Sequence, residues 1–193
     1  FSKGDPGRAE IMAFIREALA GRGDRVIGMI QPKFSEDAGN SDRPKLCAVG
    51  CLGRVASFAE SGDGRYLVSL QGICRFRVAE ELNVRSPFRQ CRISPFMSDL
   101  DEEGDASSVD REALLRVFRA YLDANDLEAD WESVKRAGND TLVNALSMMS
   151  PYGPAEKQAL LEAPDLKSRA ETLIAITEMA LAHYKEDFAK TLQ

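Results

Sequence analysis

Chemistry at a protein site needs particular side chains at particular spacings, and this sequence supplies few of them. His183 is the sole histidine. It lies in a stretch rich in Ala, Leu and Glu with no nucleophile to serve, so it reads as a flank residue and not a general base. The four cysteines, Cys47, Cys51, Cys74 and Cys91, form no C-x-x-C pair. They read as buried free thiols of a reducing compartment, not as a zinc set. The carboxylates between 98 and 105 make a solvated charge run, not a spaced pair in a pocket. Neither G-x-x-x-x-G-K-[ST] nor G-x-S-x-G occurs, so the phosphate-cradling loop and the serine elbow are missing from the sequence. No catalytic residue, metal ligand or cofactor is expected.

Two groups of residues remain that could bind a macromolecule. Arg54, Arg65, Arg75 and Arg77 sit in strand-like sequence, where guanidinium groups could contact RNA phosphates. Aromatics to stack bases are sparse there, since Phe58 and Phe76 alternate inward. The plainer expectation is that the arginines solvate the sheet or pair with Asp63, Glu80 and Glu81. The second group is Met148, Met149 and Tyr152 in the segment MMSPYGP. Methionine adapts to varied apolar partners, which suits binding of unfolded segments. The alternative is that both methionines fill a helical core while Pro151 and Pro154 punctuate helices.

The first half of the chain must position the arginines, and it reads as β-structure. Residues 50–78 are organised around a turn, Ser61-Gly62-Asp63-Gly64, whose glycines accept positive φ. Tyr66, Val68 and Leu70 alternate with Leu67, Ser69 and Gln71, the period of a strand. Gly72 marks a bulge or bend. Cys74, Phe76 and Val78 are expected to face inward, with Arg75 and Arg77 outward. Val26–Ile30 reads as a short strand, 32–45 as a polar loop, Leu46–Glu60 as a strand bent at Gly50 or Gly53, and Val84–Phe96 as a closing edge strand. Residues 11–19 have an apolar stripe at helical spacing.

After the acidic stretch 98–108 the period becomes helical. Ser107 is the expected cap of a first helix, with Asp110 three residues on. Leu114, Leu115, Phe118, Tyr121 and Leu122 form its inner face. Trp131 and Val134 belong to a short second helix. A third, capped by Asn139 or Asp140, carries Leu142, Val143, Leu146 and Met149 inward. Pro154 opens a fourth. A long last helix runs from about 165 to 190, with the stripe Leu166, Ala170, Leu173, Ile174, Thr177, Leu181, Tyr184 and Phe188.

Charge divides in the same place. Residues 1–97 hold 15 Lys and Arg against 11 Asp and Glu, whereas 98–193 hold 10 against 20. The asymmetry predicts two structural units. The net charge of −6 argues against general nucleic-acid binding, which needs a concentrated basic surface. No apolar run approaches the ~18–20 residues that span a membrane, so a membrane partner is not expected.

Several of these stretches together resemble a known family. The motifs are G-x-L-G-R-V at 50–55, D-G-R-Y-L-V-x-L-x-G at 63–72 and C-R-F-R-V at 74–78, with VIGMIQP at 26–32 and SPYGPAEKQALLE at 150–162. They resemble the N-terminal, substrate-binding domain of Lon protease, and more closely its stand-alone bacterial version without ATPase or peptidase. The resemblance covers roughly residues 8–182. It implies an α+β fold: a PUA-like antiparallel β pseudo-barrel at 1–97, an acidic linker at 98–108 and an α-helical bundle at 109–193. It also implies one or two strands ahead of the helix at 11–19, which this sequence does not show; residues missing from the start are the expectation. The implied function is non-catalytic binding of exposed hydrophobic segments of client or adaptor proteins, in the cytoplasm, against a surface near the junction of the two units. Unfolded or partly folded polypeptides are the implied partners, with a protease or adaptor alongside and a weak homodimer left open. RNA binding through the four arginines is the alternative, because PUA-like folds are known for it.

Overall fold

In the computed structural model of the chain, the described residues are 25–33, 44–60, 66–100 and 108–191, with side chains of the last helix described through Tyr184. The expected helix at 11–19, the turn at 61–64, Arg65 and the side chain of Phe188 lie outside them. The chain divides into two compact units, Phe1–Glu102 and Glu103–Gln193.

The first unit holds a four-stranded antiparallel sheet in the order β1-β2-β3-β4. Its strands are β1 (Val26–Met29), β2 (Val49–Glu60), β3 (Tyr66–Leu82) and β4 (Gln90–Pro95). β2 and β3 form the long hairpin that the alternation of Tyr66, Val68 and Leu70 predicts. Near its end Phe58 and Tyr66 stack, with ring centroids 5.4 Å apart, a cross-strand aromatic contact that helps fix register. The register slips between Leu52 and Gly53, because Leu52 faces Cys74 and Gly53 faces Gly72. Ile73 is thus the extra residue, next to the glycine that signalled the bulge. Leu46 makes only an isolated bridge with Pro32, so β2 starts later than expected. β4 also starts later, at Gln90: Pro87 has no amide to give a ladder, and residues 86–88 bend instead.

Two glycines let β3 close onto its neighbours. The Phe76 ring lies over the backbone of Gly28 and Gly50. A Cβ on Gly50 would stand 2.5 Å from the ring and 2.5 Å from the Met29 carbonyl oxygen. Phe76 is 3% exposed, and that burial depends on the missing side chains opposite it.

The second unit holds five helices among the described residues: α1 (Arg111–Ala124), α2 (Trp131–Arg136), α3 (Asn139–Met149), α4 (Pro154–Glu162) and α5 (Leu166–Thr191). Asp110, not Ser107, caps α1, its Oδ1 accepting from the Ala113 amide at 2.9 Å. Gly138, not Asn139 or Asp140, occupies the cap position of α3. The core is Leu114, Leu142, Val143, Leu146, Leu160, Ala170, Leu173 and Ile176, with Leu115, Phe118, Tyr152 and Ile174 packed against it. Burying a side chain as completely as Leu173 stabilises by about 1.5–3 kcal/mol, so this cluster is the unit's main cohesive term. The Arg119 guanidinium lies 4.4 Å over the Trp131 ring.

Gly50→Ala is expected to destabilise the protein by about 1–3 kcal/mol through overpacking. Gly72→Ala, where an added Cβ meets nothing within 4 Å, is expected to change stability by less than about 0.5 kcal/mol. Urea unfolding followed by far-UV circular dichroism checks both.

Candidate functional site

The helical unit carries a short built surface where α3 passes into α4. Pro151 cannot continue a helix, and the residue before a proline is driven to extended backbone. Ser150 accordingly has ψ 139° and closes α3, its amide bonding the Leu146 carbonyl. Gly153 precedes α4, and a Cβ there would stand 2.7 Å from Glu156 Oε2. Pro154 opens α4 where its missing amide costs nothing. Lys157 then reaches back. Its ammonium donates to the carbonyls of Ser147 at 2.9 Å and Met148 at 2.7 Å, two acceptors that the end of a helix leaves open. Partial burial pushes the Lys157 pKa down.

Tyr152 is the strut of this turn. Its hydroxyl lies 2.6 Å from Thr177 Oγ1. Thr177 spends its own proton on the Leu173 carbonyl at 2.6 Å, so Tyr152 is the donor. Tyr152 therefore anchors the turn to α5; its ring is half-buried and packs against the core.

Met148 and Met149 are presented to solvent, at 78% and 81% exposed. The expectation that Met149 faces inward is overturned. The inward position one turn beyond Leu146 belongs to Ser150, which is 6% exposed. Both methionines are left outside, on backbone held by Lys157 from one side and Tyr152 from the other.

The three described arginines of the sheet do not share one exposed face. Arg54 and Arg77 are exposed, and Arg65 lies outside the described residues. Arg75, expected outside, is 6% exposed. Its Nη2 donates to Asp99 Oδ1 at 2.7 Å, its Nε to Oδ2 at 2.9 Å and its backbone amide to Oδ2 at 2.8 Å. Asp99, placed by the sequence in a solvated acidic run, belongs to a 3-10 turn, Met97–Leu100, that folds back onto β3. The Phe96 ring lies under both guanidinium groups, 4.8 Å from Arg75 and 5.6 Å from Arg77. Inward–outward alternation fails here because Cys74, Arg75 and Phe76 are all buried.

Cys47, Cys51, Cys74 and Cys91 are free thiols. Burial first, and the nearby Asp99 charge after it, push the Cys74 thiol pKa up. Burial does the same at Cys51, reinforced by Cys74. Raised thiols are poor nucleophiles near neutrality. His183 is exposed. Among the described residues no cluster of His, Cys, Asp and Glu could hold a metal, and no helix is long and apolar enough to cross a membrane.

The sequence reading missed Asp99 and Lys157 as positioning residues, and Ile176 as a core residue. Thr177 carried a signal: a hydroxyl within an apolar helical stripe needs a partner, and Tyr152 supplies it.

An antiparallel sheet unit followed by a helical unit is the architecture of the N-terminal domains of Lon proteases. The N terminal domain of Mycobacterium avium complex Lon protease superposes with a TM-score of 0.63 at 17% identity, over 92% of this chain and 88% of that one. Residues 6–178 match the family described as the ATP-dependent protease La (LON) substrate-binding domain, and the chain belongs to that family. It is 27% identical over 181 residues to Lon protease 2 of Myxococcus xanthus and 29% identical over 177 residues to Lon protease of Anaeromyxobacter dehalogenans. Each of these alignments covers 88% of this chain and 20% of the relative. The chain thus spans about one fifth of the length of the curated relatives it matches.

Removing one partner of a buried ion pair strands the other charge, at about 3–5 kcal/mol for a fully buried pair. Asp99 keeps 19% of its side chain exposed, so Arg75→Met is expected at the low end of that range. Arg75→Met combined with Asp99→Leu is expected to recover a large part of the loss. Native-state hydrogen exchange of the β3 amides checks the single and double variants.

Proposed function

We propose that this chain is a non-catalytic polypeptide-binding module, which holds exposed apolar segments of unfolded or partly folded client proteins against Met148 and Met149. The observation that carries the reading is the exposure of these two methionines, 78% and 81%, on a turn that Lys157 and Tyr152 hold in place. Unbranched thioether side chains adapt to differing apolar partners, and a fixed backbone beneath them lowers the ordering cost of binding. Membership of a substrate-binding family supports the same reading. Delivery to a protease or adaptor in the cytoplasm is the setting that fits it.

RNA binding fits less well. Of the three arginines offered for it that lie among the described residues, Arg75 is spent on Asp99, which leaves Arg54 and Arg77 exposed, fewer than a concentrated basic surface needs.

The test is fluorescence anisotropy of a labelled, permanently unfolded polypeptide, with labelled single-stranded RNA run in parallel at two salt concentrations. Saturable polypeptide binding that survives salt is expected, with RNA silent. Burying one methionine side chain is worth about 1.5–3 kcal/mol, so Met148→Asp or Met149→Asp is expected to weaken binding roughly tenfold or more. Because both sites are exposed, urea unfolding should shift by less than about 0.5 kcal/mol. Polypeptide binding unchanged by both variants would remove the methionines from the site. Salt-sensitive RNA binding would replace the reading.

A further inference from the structure

Methionine is used in this protein as a surface residue. The sequence has six, and all five among the described residues are exposed: Met29 at 56%, Met97 at 63%, Met179 at 55%, and Met148 and Met149 at 78% and 81%. The last two are adjacent in sequence and the most open to solvent of the five. A thioether sulfur carries a lone pair that peroxides oxidise without prior loss of a proton, whereas a thiol reacts as the thiolate. The four thiols are poorly placed to ionise. Cys47 and Cys74 are buried, and burial first pushes the pKa of Cys51, Cys74 and Cys91 up.

The consequence of oxidation depends on what the two side chains support. Both lie outside the buried core of the helical unit. The turn beneath them rests on the Lys157 ammonium, which donates to the Ser147 and Met148 carbonyls, and on the Tyr152 hydroxyl against Thr177. These bonds use main-chain carbonyls and other side chains, and neither thioether takes part in them. A sulfoxide formed inside a core disrupts its packing. At Met148 and Met149 the added oxygen stands in solvent and leaves the supports of the turn in place. What changes is the surface, where a flexible apolar side chain becomes a polar one.

We propose that Met148 and Met149 are an oxidation site, at which a peroxide switches client binding off and reduction of the sulfoxides switches it on again. In the forward step the sulfur lone pair attacks one oxygen of hydrogen peroxide, an S–O bond forms and the O–O bond breaks. The leaving hydroxide takes the proton of the transferred oxygen and departs as water. Sulfur loses two electrons, and the peroxide gains them. The reverse step needs a sulfoxide reductase, which returns two electrons from thiols and releases the oxygen as water. The inference rests on the reading of these two methionines as the client-binding surface. It adds regulation to that surface, with binding lost while the fold is kept.

The experiment treats the intact chain with hydrogen peroxide, locates the sulfoxides by peptide mass spectrometry, and reads binding of a labelled, permanently unfolded polypeptide by anisotropy before and after. Oxidation of Met148 and Met149 is expected to weaken binding roughly fivefold or more, with circular dichroism and the urea midpoint unchanged. Dithiothreitol, which reverses thiol oxidation, is expected to restore nothing by itself. A pair of sulfoxide reductases, one for each sulfur epimer, is expected to restore binding. A variant with Met29→Leu, Met97→Leu and Met179→Leu is expected to keep the full loss on oxidation. Met148→Leu with Met149→Leu is expected to show the same affinity before and after peroxide. Binding unchanged once both methionines are sulfoxides would overturn the proposal. So would recovery with dithiothreitol alone, a loss that disappears in the triple leucine variant, or a loss that accompanies unfolding. If the reduced protein binds no polypeptide, the client-binding reading fails and takes this inference with it. If the reduced and oxidised proteins bind equally well, this inference fails alone.

Discussion

A guanidinium taken into a β-sheet must be met by a carboxylate, and the meeting of Arg75 with Asp99 sets much of the first unit. Desolvating either charge costs several kcal/mol, which only close geometry and further hydrogen bonds offset. Here the carboxylate accepts from the guanidinium and from the Arg75 backbone amide together. The amide bond means that Asp99 continues the hydrogen bonding of β3 as well as its charge balance. The Phe96 amide donates to the Arg75 carbonyl at 2.9 Å, so the chain leaving β4 is bound on both sides of that residue. The 3-10 turn follows from these bonds. Their covering of β3 explains why three consecutive residues, Cys74 to Phe76, are buried where alternation would bury two. It also explains the thiols: Cys51 and Cys74 lie where burial and the Asp99 charge both oppose ionisation.

Much of the architecture could be read from the residues because its signals are local. Pro154 at the first turn of α4, the stripe along α5 and the alternation at Tyr66–Leu70 each depend on neighbours a few positions away. The bulge beside Gly72 was marked by the glycine itself. What could not be read depends on distant partners. Arg75 is set by Asp99, 24 residues on, and in sequence that aspartate is one of several acids in a row. Met149 was misplaced because periodicity counts turns but does not say where a helix stops. Ser150, forced extended by Pro151, takes the inward position instead. Lys157 gave no signal at all: a lysine in a helix says nothing of carbonyls on the previous helix.

The exposed methionines make physical sense only with their supports. An exposed apolar side chain on loose backbone loses in ordering entropy what it gains in contact. The segment from Ser147 to Gly153 is instead fixed at each step, by the Lys157 ammonium on two carbonyls, by the pre-proline geometry of Ser150 and by the Tyr152 hydroxyl on Thr177. The adaptable part of this surface is then the two thioether side chains. That distribution suits a surface that meets many apolar sequences, because adaptation occurs in rotamers and not in the backbone.

The same reasoning limits what such a surface can do. Two methionines, fully covered, contribute about 3–6 kcal/mol, whereas association costs an estimated 4–15 kcal/mol before any surplus appears. The pair alone cannot hold a folded protein tightly, and a folded protein offers few apolar segments to cover it. An unfolded chain differs because it presents many apolar segments in succession, so a rebinding encounter is always close at hand. On the proposed reading, selection for unfolded clients would not require recognition of a sequence. It would follow from a patch too small to bind anything that does not present apolar side chains repeatedly.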